Sequence, residues 1–223
     1  MMIVVYLFCA YRDWAIELYE KLSKNHENII LLKLPKKLTF NYVKKINPEM
    51  IFFPDWSWIV PKEIIKNYKC ICFHESNLPK FRGGSPIQNQ IIRGLEKTKS
   101  TAFLMTDKLD EGKILLQKNL SLKGSIDEIF QQMIENDHEM IKKIIQGKYK
   151  LKNQMGKPTK FKRRKPEDSE LDNLIHSKRF IYNFIRMLGD PYPNAFLKIG
   201  KRKIFFKEVT YKNNKLEFRG EII

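Results

Sequence analysis

Short, uninterrupted apolar runs alternating with helix-compatible segments constrain this chain more than any other feature. The runs are residues 2–8, "IILLKL" (29–34), "MIFFP" (50–54) and "KCICF" (69–73). A strand that is apolar on both faces must be covered on both, and strands alternating with helices build a mostly parallel sheet. The first intervening segment, "DWAIELYEKLSK", carries Ala15, Leu18, Tyr19 and Leu22 at the spacing of one helix face, with Asp13 as its expected N-cap. Shorter helices are expected around Tyr42–Ile46 and Pro61–Lys66. The fold class expected is therefore α/β with a Rossmann-like sheet. In such sheets ligands gather beyond the carboxyl ends of the strands. His74 and "DWSW" (55–58) each follow such an end.

Downstream, "SPIQNQIIRG" reads as a helix with Ser85 as N-cap, Pro86 in the first turn and Gly94 at its end. "STAFLMTD" and "KILLQKNLSL" read as two strands joined by the polar turn "KLDEG" (108–112). A capping box of Ser125 and Glu128 opens the clearest helix, whose stripe is Ile126, Ile129, Phe130, Met133 and Ile134, with Gly147 as its stop. Asp137 interrupts that stripe. Residues 148–172 are polar, with Gly156, Pro158, Pro166 and "KFKRRK", and read as a linker. The expected division is a catalytic domain over 1–150, then a linker and a small α+β module over 151–223, with a helix near Lys178–Leu188 and strands near Phe196–Ile199 and Lys203–Thr210.

The chain has 223 residues, 43% of them hydrophobic, enough for one good core. No apolar run approaches the ~20 residues of a membrane span. The N-terminal run has neither a preceding basic segment nor a cleavage site after it, so a core strand is expected there rather than a signal peptide. Three cysteines are an odd set and make no disulfide framework. A cytoplasmic protein is expected. The formal charge of +17 suits phosphate-bearing partners, a nucleic acid or a nucleotide. Abundant Lys, Ile and Asn also fit a codon bias, and a polyanionic small molecule such as a nucleotide fits the charge equally.

His74 and Asp110 together could handle chemistry. Imidazole and carboxylate on neighbouring strand ends can move a proton and stabilise an oxyanion. A histidine at a strand end is also a common structural residue, and spacing alone leaves both readings open.

At these residues the chain resembles a known family. "FHESNLPKFRGGSPIQNQIIRG" followed by "KLDEGKIL" resembles the formyltransferases that take a one-carbon unit from 10-formyltetrahydrofolate, whose motifs run Asn-x-His-x-Ser-x-Leu-Pro, Arg-Gly-x-x-Pro and Leu-Asp-x-Gly. The double glycine, "RRKPEDSELD" and "IRMLGDPYPNAF" are most similar to the branch acting on nucleotide-linked amino sugars. The resemblance implies His74 and Asp110 as catalytic residues, with Cys72 standing where the family has asparagine. A thiol is a weak hydrogen-bond donor, and Asn77 is the nearby amide that could compensate. A reactive Cys72 is the alternative. The donor is expected along "DWSWIVP", at Trp56, Trp58, Ile59 and Val60, with Asp107; the tryptophans could equally be core.

The resemblance implies acceptor contacts from Ser76, Arg82, Gly83, Gly84, Gln88, Arg163, Arg164 and Tyr192, the arginines suiting phosphate and the glycines serving a ligand's approach or a tight turn. No metal is implied. The acceptor expected is a nucleotide-linked amino sugar, with a homodimer possible through the C-terminal module. Rival readings are a methionyl-tRNA formyltransferase, disfavoured here by the short tail, a glycinamide ribonucleotide formyltransferase, and a catalytically idle homologue.

Overall fold

Each of the apolar runs becomes a strand of one sheet. The computed structural model describes residues 4–223. In chain order the elements are β1 (Tyr6–Cys9), α1 (Asp13–Ser23), β2 (Ile29–Leu32), α2 (Phe40–Ile46), β3 (Met50–Phe53), α3 (Lys62–Asn67), β4 (Lys69–His74), β5 (Arg82–Gly83), α4 (Pro86–Ile91), β6 (Lys97–Leu104), β7 (Ile114–Ser121) and α5 (Ile126–Ile145). They continue with β8 (Lys160–Phe161), α6 (Lys178–Arg186), β9 (Phe196–Ile199), β10 (Arg202–Lys212) and β11 (Lys215–Ile222). Of the first expected strand, residues 2 and 3 lie outside the described residues.

The main sheet has the order β2-β1-β3-β4-β6-β7. β1 to β4 pair in parallel, and β6 runs antiparallel to both its neighbours. Alternation explains why the strands are apolar throughout. Phe8, Phe52, Ile71 and Phe73 meet α1 and α5 on one face, while Leu7, Cys9, Ile51 and Phe53 meet Val43 of α2 and Ile64 of α3 on the other. The capping box on α5 is present in both directions, Glu128 receiving the Ser125 N–H at 2.7 Å.

Two caps differ from expectation. Arg12 occupies the N-cap of α1 and Asp13 is its first helical residue, where a carboxylate faces the positive end of the helix dipole. Ser85 stands before α4 but is left-handed, and its hydroxyl accepts the backbone N–H of Arg164 instead of capping the helix.

Residues 148–172 are no free linker. Ile114 and Lys152 exchange backbone hydrogen bonds at 2.8 and 2.9 Å, and β8 pairs in parallel with β5. Phe81 and Phe161 stack at 5.0 Å. The segment is a strap across the turn that follows β4. Its many charges face water while its backbone completes a ladder, so composition alone reads it as loop. Beyond it, β9, β10 and β11 form a second, antiparallel sheet in the order β11-β10-β9. β11, absent from the sequence expectation, is exposed along most of its length and has no apolar run.

Candidate active site

His74 is the last residue of β4, which ends one position later than the sequence expectation put it. It is 7% exposed, and its Nε2 lies 2.7 Å from the Phe81 carbonyl oxygen. A carbonyl only accepts, so Nε2 carries the proton and donates. Nδ1 is thereby turned toward Asp110, with Oδ2 3.9 Å away. Asp110, 8% exposed, sits in the loop between β6 and β7 with φ +55°. Its Oδ2 accepts the Gly83 N–H at 2.7 Å. Residues from β4, the following turn and the β6–β7 loop thus converge on one imidazole nitrogen. Such a nitrogen, with a carboxylate beside it, is placed to accept or release a proton.

Cys72 is half-buried against Leu78, Phe103 and Ile114. Burial first, then the charges of Asp110, Glu75 and Asp137, push its thiol well above the usual range. That direction disfavours the thiolate a nucleophile needs. Asn77 is exposed, and its side-chain oxygen accepts from Gln117 of β7 at 3.3 Å.

The tryptophans divide between the two readings. Trp56 is half-buried, edge-on to Phe53 at 5.9 Å, and its indole nitrogen is buried with no partner among the described residues. Trp58, 45% exposed, packs at 4.7 Å from Tyr11, and Ile59 is 96% exposed. Val60 is buried with the α2 and α3 cluster, so its side chain lines no surface. Asp107 is exposed.

Several expected acceptor contacts are committed within the protein. Ser76 is fully buried and donates its hydroxyl to the Lys80 carbonyl at 2.7 Å, shaping the turn. The Arg82 guanidinium donates to Gln154 Oε1 from Nε and Nη2, and pairs with Glu111 at 3.1 Å. Gly83 and Gly84 serve the approach of the strap: a Cβ on them would lie 2.2 Å from the Phe161 oxygen and 2.3 Å from the Arg163 Cα. Arg164 donates to the Asp168 carbonyl and lies 5.7 Å over Phe184. Arg163 is exposed.

Sequence reasoning missed Glu75 and Asp137, which form a second polar group with the expected Gln88 and Tyr192. Glu75 follows His74 and so turns toward the opposite face, that of α5. There Asp137 is 1% exposed with Oδ1 unpartnered, and Gln88 is buried with Nε2 unpartnered, among the described residues. Tyr192 lies nearby, 5.5 Å beneath the Arg12 guanidinium that pairs with Asp55. Burial pushes Glu75 up to about 8 and Tyr192 up to about 12. Burial, then the Glu75 charge, raises Asp137. The signal available in sequence was Asp137 breaking an apolar stripe.

A stability prediction follows. Glu75 holds its proton in the folded protein up to about pH 8 but would lose it near its ordinary value of 4.5 when unfolded. Between those values the unfolded state binds fewer protons, so stability falls as pH rises. Glu75→Gln is expected to flatten that fall, read as thermal midpoint against pH; a midpoint declining as steeply as the parent's would refute it.

Comparison with known proteins decides the family. Residues 33–145, half the chain, match the family model described as formyl transferase. The chain belongs to the formyl transferase family. The family uses 10-formyltetrahydrofolate as formyl donor. Residues 166–223 match the model described as methionyl-tRNA formyltransferase, C-terminal domain. A solved structure titled methionyl-tRNA formyltransferase from Clostridium thermocellum is 39% identical, with TM-score 0.94 and 99% of each chain covered. A curated methionyl-tRNA formyltransferase of Thermodesulfovibrio yellowstonii is 34% identical over 78% of this chain and 60% of its own length. The chain spans 55–60% of the length of curated formyltransferase relatives it matches.

These likenesses correct the expected acceptor. A structure described as a sugar N-formyltransferase from Mycobacterium tuberculosis is 21% identical, TM-score 0.77, covering 95% and 99% of the two chains; it shares the fold. The more similar relatives carry the methionyl-tRNA name instead. The short tail does not separate the branches, since the Clostridium structure matches this chain end to end. Among the described residues no group of three or more His, Cys, Asp or Glu could hold a metal ion, and no helix is long and apolar enough to cross a membrane.

Proposed function

We propose that this formyltransferase moves the formyl group of 10-formyltetrahydrofolate to the amino group of methionyl-tRNA. The observation that carries the acceptor is the 39% identity, over nearly all of both chains, to a structure of that name. The charge of +17 suits a polyphosphate partner.

The donor supplies an electrophilic formyl carbon. In this reading Trp58 and Ile59, exposed and apolar beyond β3, are surfaces suited to hold its flat ring system. His74 is the proton-handling residue at Nδ1, its tautomer set by the Phe81 carbonyl. Asp110 lies beside the ring, where charge develops in the reaction. Cys72 contributes no strong donor, so the reaction relies on His74 and on holding the amine close. Residues 1–150 carry the chemistry together with the strap, and the module after it contacts the acceptor.

The test supplies 10-formyltetrahydrofolate with charged methionyl-tRNA and follows formyl-methionine and tetrahydrofolate release. Formylated methionyl-tRNA is expected. Turnover confined to a small amine offered in parallel would overturn the acceptor; no turnover with any amine would overturn the enzymatic reading.

A further inference from the structure

Gln154 belongs to the strap, outside every motif that marks the reaction, yet its amide is saturated by the active-site loops. Its Nε2 donates to the Asp110 carbonyl at 2.8 Å and to the Gly112 carbonyl at 2.9 Å. Its Oε1 accepts from Arg82 Nη2 at 2.7 Å and Nε at 3.2 Å. An amide has two N–H donors and one carbonyl, and here all are used. Residues 151–160 are otherwise exposed, and Gln154 alone among them is half-buried.

The loop it grips is one that needs gripping. Asp110 is a non-glycine residue at φ +55°, a conformation that surrounding contacts must sustain. Gly112 approaches Leu104 so closely that a Cβ would lie 1.6 Å from its carbonyl oxygen. The Asp110 carboxylate is held from the other side by the Gly83 N–H, and Gly83 directly follows Arg82. One side chain therefore ties the loop that carries Asp110 to the turn that meets its carboxylate.

We propose that Gln154 is a positioning residue for formyl transfer, fixing Asp110 beside Nδ1 of His74. No other side chain of similar length substitutes. A glutamate would set a carboxylate oxygen against two carbonyl oxygens, and a methionine would leave Arg82 and both carbonyls unmet. The inference rests on the reading of His74 and Asp110 as the proton-handling pair.

The test compares Gln154→Glu and Gln154→Met with the parent and with Asp110→Asn. Three quantities are measured: kcat and KM for both substrates, the ring ¹⁵N resonances of His74, and the thermal midpoint. Loss of positioning is expected to lower kcat by about 10-fold to 10²-fold with each KM within about twofold. The His74 signals are expected to shift in the direction seen for Asp110→Asn, and a folded midpoint is expected in at least one Gln154 variant. Unchanged kcat and unmoved ring signals in a folded variant would overturn the inference, as would a loss confined to KM. The ring signals also separate the two readings. If no protein, parent included, transfers formyl groups while the His74 signals still follow Asp110→Asn, the proposed function fails and the link from Gln154 to His74 stands.

Discussion

Replacing His74 by alanine is expected to lower the rate of formyl transfer by about 10²–10⁴-fold while substrate binding persists, the range spanned by loss of a general acid–base or of an oxyanion donor. The reasoning is local. Nε2 is occupied by the Phe81 carbonyl, so Nδ1, 3.9 Å from Asp110, is the ring atom left to exchange a proton. Alanine also strips the Phe81 carbonyl of its donor, a cost of about 1–3 kcal/mol where no water replaces it. His74→Gln separates the effects, because a glutamine can donate to a carbonyl but cannot titrate. Both variants are expected to lose turnover, measured as tetrahydrofolate release, and to retain the donor by calorimetry. Turnover within twofold of the parent in either would remove His74 from the mechanism.

The strand content of the first half was legible because burial on both faces leaves one signature, an unbroken apolar run. "MIFF" and "CICF" can do little else beside helices of matching length. His74 and Asp110 were legible through motif resemblance, and the structure brings them within 3.9 Å of each other. What escaped were features whose information is not apolar. The strap is held by backbone ladders and by Gln154, and neither has periodicity. β11 is built of "KLEFRGEI" with nearly every side chain in water; its clue was Asn213–Asn214, at φ +48° and +57°, a pair suited to a two-residue hairpin turn. Arg82 looked like a phosphate ligand because an arginine beside glycines has the right chemistry, and only coordinates reveal that Gln154 and Glu111 already engage it. The acceptor branch was misread for a related reason: "RRKPEDSELD" and "IRMLGDPYPNAF", on which it was chosen, lie on the strap and tail, where spacing carries little physical constraint.

Gly83→Ala is expected to damage both the fold and the site. Gly83 has φ +94°, which L side chains rarely adopt, and its new Cβ would fall 2.2 Å from the Phe161 carbonyl oxygen. That atom belongs to the backbone of β8, so no rotamer change relieves the clash. Either β5 and β8 part, or the turn rotates. Backbone strain and overpacking each cost of order 1–3 kcal/mol; a loss of about 3 kcal/mol would lower the thermal midpoint of a chain this size by roughly 6–12 °C. Activity should fall further than stability alone explains, since the Gly83 N–H is the donor to Asp110 Oδ2 and moves with the turn. Gly94→Ala is the control, because Gly94 also has positive φ, +79°, but nothing lies within 4 Å of its added Cβ. It is expected to lose stability through strain alone and to keep its kcat. Equal loss of kcat in the two variants, measured at a temperature where both are folded, would mean that the strap's close approach has no part in arranging the site.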